Sequence, residues 1–89
     1  MSILLADDDA QLATFLSKSL ESEGHSVHIA GDADAFRAEL GRQNYNLIIL
    51  DLNFGNTDGL HLLEKLRADG LKTPVIVLSA RNQVSDRIQ

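Results

Sequence analysis

Leu47-Ile48-Ile49-Leu50-Asp51 is apolar at four successive positions and ends on a carboxylate. Two other stretches share this form: Ile3-Leu4-Leu5-Ala6 runs into Asp7-Asp8, and Val75-Ile76-Val77-Leu78 runs into Ser79. Strands that are apolar on every residue suit burial on both faces, which is the condition of parallel sheets, and such sheets bind ligands at the carboxyl edge of their strands. Three strand ends meeting at one edge would make an acidic, oxygen-rich pocket. That edge is the expected site.

Helical patterns separate these runs. Leu12, Leu16 and Leu20, with Phe15 beside them, recur at helical spacing between Ala10 and Glu23, and Gly24 follows as a stop. Ser26 to Ala30 alternates around Val27 and Ile29 as a further strand, after which Asp32 opens a helix with Ala33, Phe36 and Leu40 on its inner face. The turn formers from Asn53 to Gly59 make a loop, and Leu60, Leu63 and Leu66 mark a third helix ended by Gly70. Val84 and Ile88, four apart, predict the opening turns of a fourth helix over Asn82 to Gln89. The order β-α-β-α-β-α-β with short connections predicts a doubly wound α/β domain with parallel strands and right-handed crossovers. A flavodoxin-like strand order 2-1-3-4 sets the ends of the first and third strands side by side at the switch point, which gathers Asp7, Asp8 and Asp51. Phe15, Phe36 and the leucine stripes are expected in the core. Asp9 and Asp58 are expected as helix caps, and Asp32 and Asp34 as a charged helix start. His25, His28 and His61 share no metal or triad spacing and are given no role.

With 89 residues, 44% hydrophobic and 24% charged, the chain has the balance of a single globular domain spanning 1–89. The absence of cysteine excludes disulfides, thiolate metal sites and sulfur redox chemistry, and agrees with a reducing, cytoplasmic setting. A net charge of −5 argues against direct nucleic-acid binding by this segment, since such binding rests on phosphate neutralisation by Lys and Arg. No apolar stretch approaches the ~20 residues of a membrane span, and Met1 leads straight into a short strand rather than a signal core. No membrane partner is expected.

Three clustered carboxylates repel one another by roughly 4 kcal/mol per pair at about 4 Å and an effective dielectric of about 20, so something must compensate. An oxygen-only cluster suits a hard cation, and one that leaves room for water suits Mg²⁺. An aspartate in such a place can attack a phosphoryl group and become an aspartyl phosphate, and Asp51 is the expected nucleophile. Ser79 would donate a hydrogen bond to a phosphoryl oxygen, with small Ala80 leaving room beside it.

Ile3-Leu4-Leu5-Ala6-Asp7-Asp8-Asp9, Leu47-Ile48-Ile49-Leu50-Asp51-Leu52, Asp58-Gly59 and Pro74-Val75-Ile76-Val77-Leu78-Ser79-Ala80 together resemble the receiver domain of bacterial two-component response regulators. The resemblance implies a phosphoprotein in which Asp51 takes phosphate from a sensor histidine kinase. It also implies Mg²⁺ held by Asp8, Asp51 and the backbone carbonyl of Asn53, and by Asp7 through water, with Ser79 as the phosphate-sensing hydroxyl. Receivers that control a DNA-binding winged helix are the nearest in style around Asp51 and Leu78-Ser79-Ala80-Arg81, which implies transcription regulation through an output domain absent from this chain.

Two departures stand out. Gly55 occupies a place where many relatives have proline. The family's fifth strand, its phosphate-binding lysine and its fifth helix would lie beyond Gln89, which implies a partial receiver, truncated before those elements. An unpaired apolar edge on the fourth strand and uncovered sheet beside the first helix are then expected to drive self-association, as a dimer or an exchanged oligomer. Two other readings compete with the phosphoacceptor. In one, a non-signalling receiver acts only as an association module. In the other, the chain is a Mg²⁺-dependent phosphatase with an aspartate nucleophile; that chemistry calls for an acid two residues after the nucleophile, where this chain has Asn53, so an enzyme is not expected.

Overall fold

The four longer strands follow the apolar runs of the sequence to within a residue. A computed structural model describes residues 1–52, 54, 58–78 and the backbone of 84–85. Strands β1 (Ser2–Ala6), β2 (Ser26–Ala30), β3 (Leu47–Asp51) and β4 (Val75–Leu78) alternate with helices α1 (Ala10–Ser22), α2 (Ala33–Arg42) and α3 (Gly59–Ala68), and a two-residue β5 (Val84–Ser85) follows. β1 pairs in parallel with β2 and β3, and β3 with β4, in the predicted flavodoxin-like order 2-1-3-4. The register sets Ala6 beside Leu50 and Asp51 beside Leu78, so the strand ends share one edge.

Side-chain acceptors start each helix. Asp9 accepts from the N–H groups of Gln11 and Leu12, Asp32 from Ala35, and Asp58 from Leu60 and His61. α1 and α3 end on Gly24 and Gly70 at φ of 92° and 96°, a left-handed conformation that costs glycine little.

The pleat divides the core. Leu4, Ala6, Ile48, Leu50, Val75 and Val77 pack with Phe36 of α2 and with Leu62 and Leu63 of α3. Ile3, Leu5 and Ile49 point to the other face, where α1 offers Ala13, Leu16 and Leu20. Among the described residues α1 is the one helix on that face, and it packs on β1 and β2. β4 therefore alternates instead of being covered throughout: Val75 and Val77 are buried, Ile76 and Leu78 half-buried.

Two expectations are corrected here. Phe15 and Leu12 are not core residues: they are 67% and 43% exposed. The helix meets the sheet along Ala13, Leu16, Ser17 and Leu20, and small Ala13 and Ser17 let it sit close, which turns Leu12 and Phe15 outward. The other correction concerns the edge of β4 and the helix expected over 82–89. Val84 and Ser85 form a strand that runs antiparallel to β4, opposite Leu78 and Val77. The unpaired backbone of a strand edge offers hydrogen bonds that outweigh one turn of helix supported by two apolar residues. The sheet thus has five strands, and the edge is capped from within the chain at Val77 and Leu78. The remaining residues of 82–89 lie outside the described part.

Away from the acidic edge, the end of α2 is tied to the connection that follows. Glu39 accepts from Arg42 Nη2 at 2.7 Å and from Tyr45 Oη at 2.5 Å, and these hydrogen bonds, Arg42 first, hold its carboxyl at about 2.

Candidate functional site

The site is built at the ends of the neighbouring strands β1 and β3. Asp7 follows β1 directly, and its N–H donates to Ala30 O of β2 at 3.1 Å. Its Oδ1 accepts from the Asp9 N–H at 2.9 Å, which folds the chain into the first turn of α1 and leaves Asp7 2% exposed. Asp8 next to it is exposed, and Asp51, the last residue of β3, is half-buried. One carboxylate oxygen from each of Asp7, Asp8 and Asp51 lies within 4.8 Å of the others. The sequence-predicted acids are thus brought together.

The electrostatics are those of an incomplete shell. Burial pushes the Asp7 carboxyl above its ordinary range; the Asp9 amide opposes this, and the charges of Asp51, Asp9 and Asp8 reinforce it. Asp7 Oδ2 is buried and has no hydrogen-bond partner among the described residues. An acceptor buried without a partner normally costs about 1–3 kcal/mol, and a cation is the partner that three converging oxygens suit. Oxygen donors alone, two of them reachable from solvent, fit Mg²⁺ and offer nothing to softer metals.

Asn53 and Ser79, the other two predicted site residues, lie outside the described residues, as do Gly55 and Ala80. Asp58 caps α3, as its sequence context suggested.

Two residues at this edge carry more than their sequence context conveyed. Phe54, inside a stretch of turn formers, is wholly buried and stands edge-on to Phe36 with ring centroids 6.1 Å apart. A lone aromatic in such a loop is the signal that marks it. Gly59 begins α3 in contact with the backbone of β3: a Cβ there would lie 2.9 Å from Asp51 O and from Leu52 Cα. Its N–H donates to Leu52 O at 3.0 Å, while the Leu52 N–H donates to Leu78 O at 2.9 Å.

The sequence profile of the response regulator receiver domain matches residues 3–89. The chain belongs to this family. Similar receivers include that of the transcriptional regulatory protein PmrA of Pectobacterium parmentieri, 39% identical over 88 residues, and that of the transcriptional regulatory protein TctD of Salmonella typhimurium, 38% identical over 89 residues. The alignments take in 99% and 100% of this chain and 40% of each relative, so the chain spans about two fifths of the length of those curated relatives. Among solved structures, the receiver domain of the Francisella response regulator 1452 superposes with a TM-score of 0.84 at 34% identity, covering 92% of this chain and 68% of that one. The Thermotoga maritima response regulator TrrA, solved in complex with Mg²⁺ and a beryllium fluoride, gives 0.80 at 26% identity, covering 89% and 69%. No helix among the described residues of this receiver is long and apolar enough to cross a membrane.

Proposed function

We propose that this receiver, taken as one domain over 1–89, accepts a phosphoryl group on Asp51 from a phosphohistidine of a sensor kinase. The observation that carries this reading is the convergence of Asp7, Asp8 and Asp51 within 4.8 Å at the ends of β1 and β3, with Asp7 buried and one of its oxygens unpartnered among the described residues. Asp7, Asp8 and Asp51, with the backbone carbonyl of Asn53, would hold Mg²⁺, as the Mg²⁺ complex of TrrA suggests for this fold. Bound there, Mg²⁺ neutralises the repulsion among the carboxylates and the charge arriving with the phosphate.

The chain's own part is positional. Asp51, half-buried at the end of β3, keeps one face open to a donor, and its oxygen attacks phosphorus in line with the departing imidazole nitrogen. The new O–P bond replaces the N–P bond, and the imidazole leaves with the electron pair. Ser79, at the end of β4 in the sequence, would donate a hydrogen bond to the transferred oxygens and report the change to the β4 edge.

The relatives are named as transcriptional regulators and are longer than this chain, which supports an output domain outside it that binds DNA. The acidic charge of the segment supports a signalling part that leaves DNA to that domain, in the cytoplasm. A second reading, an association module, draws on Phe15 and Leu12, which α1 turns outward.

Intact-mass measurement with a small acyl-phosphate donor separates the two. A phosphate adduct that requires Mg²⁺ and is lost in Asp51→Asn is expected. A chain that gains no adduct at any Mg²⁺ concentration is an association module.

A further inference from the structure

Gly59 opens α3 with its Cα against the backbone that carries Asp51. A methyl group in place of its hydrogen would lie 2.9 Å from the Asp51 carbonyl oxygen and from Leu52 Cα, and 3.1 Å from Leu52 O. These distances are too short for non-bonded contact, and every obstacle is backbone, so no side chain can swing aside. The opposite side is closed as well, because the Leu52 N–H is committed to Leu78 O of β4. Residues 51 and 52 are thus held between β4 and the first turn of α3, across a gap one glycine wide.

A side chain at 59 must displace one of two bodies. α3 is fixed by Leu62 and Leu63, both 3% exposed in the core, and by the Asp58 cap. The end of β3 is paired with β4 through Asp51, and the Gly59 N–H donates to Leu52 O at 3.0 Å. Whichever body moves, the backbone of residues 51 and 52 loses its present seat against α3. We infer that Gly59 is a positioning residue for the acceptor, setting where the Asp51 carboxylate stands relative to Asp7 and Asp8. The inference rests on Asp51 being the phosphoacceptor. Displacements well under a bond length at a reacting atom carry large rate effects, since in-line attack depends on near-attack geometry.

The test compares Gly59→Ala with its parent, both in a Gly41→Ala background. Gly41 lies within α2 with open space where a methyl would stand, so alanine there adds helix propensity and offsets part of any stability lost at 59. Three readouts are taken: amide chemical shifts without metal, Mg²⁺ affinity by calorimetry, and the rate of phosphorylation at saturating acyl-phosphate donor. The expected result is a folded chain with shift changes centred on residues 50–52, Mg²⁺ affinity weaker by about tenfold, and a phosphorylation rate lower by about 10- to 100-fold. A merely structural glycine would lower the melting temperature and leave affinity and rate unchanged, which overturns the inference. An unfolded chain in the stabilised background overturns it too. If the parent itself neither binds Mg²⁺ nor takes phosphate, the proposed function falls, while shift changes at 50–52 still support the displacement and their absence refutes it.

Discussion

The buried carboxyl of Asp7 costs the chain stability. Its carboxyl is buried, its Oδ2 has no hydrogen-bond partner among the described residues, and its acid form is favoured by burial first and by Asp51 and its other acidic neighbours after that. A carboxyl whose folded value is raised destabilises the fold above that value, and the cost is lifted as the pH falls through it. Asp7→Asn keeps the acceptor for the Asp9 amide and removes the charge. The metal-free variant is expected to be more stable by about 1 kcal/mol at neutral pH, with the stabilisation by millimolar Mg²⁺ largely gone. Urea melts with and without Mg²⁺ measure both, and a variant that Mg²⁺ still stabilises like the parent would remove Asp7 from the metal shell. The place of Asp7 was legible because an acid that follows an apolar run falls where the strand stops. The place of Gly59 was not, since a close approach to a strand eight residues earlier leaves no mark in the local sequence beyond the glycine itself.

Elements show where periodicity informs and where it misleads. α1 carries Leu12, Phe15, Leu16 and Leu20, a stripe that fixes the helix but not which edge of the stripe meets the sheet. Ala13 and Ser17, small rather than bulky, decide the phase and leave Phe15 outside. Phe15→Ser is therefore expected to change stability by no more than about 0.5 kcal/mol while lowering any self-association seen by sedimentation. A loss of several kcal/mol would mean that Phe15 is packed after all. At the end of α2 the Glu39 carboxyl, held at about 2 against an ordinary 4.5, contributes stability that is complete above the ordinary value and lost as the pH falls from there towards 2. Tyr45→Phe removes the second of its donors. The variant is expected to show a shallower fall in unfolding free energy between those two pH values, and an unchanged slope would leave Arg42 as the sole cause.

The whole molecule followed from the alternation of strands and helices, because parallel strands joined by short helical crossovers leave few ways to wind. β5 did not, since two residues paired antiparallel at an edge have no periodicity to read. The result is a sheet finished on one face by α2 and α3 and covered on the other, among the described residues, by α1 over β1 and β2. β1 and β3, two of the three strands paired on both sides, bear the three carboxylates at their ends. Hydrogen exchange in the native state is expected to be slowest at Leu5 and Ile49 and faster along β2 and β5, with Mg²⁺ slowing β1 and β3 most. Equal protection across all five strands would contradict this. The arrangement of β1 and β3 has a consequence for partly opened forms: fluctuations that peel away the outer strands leave these two paired with each other, so Asp7, Asp8 and Asp51 stay gathered in states that have already given up the sheet's outline.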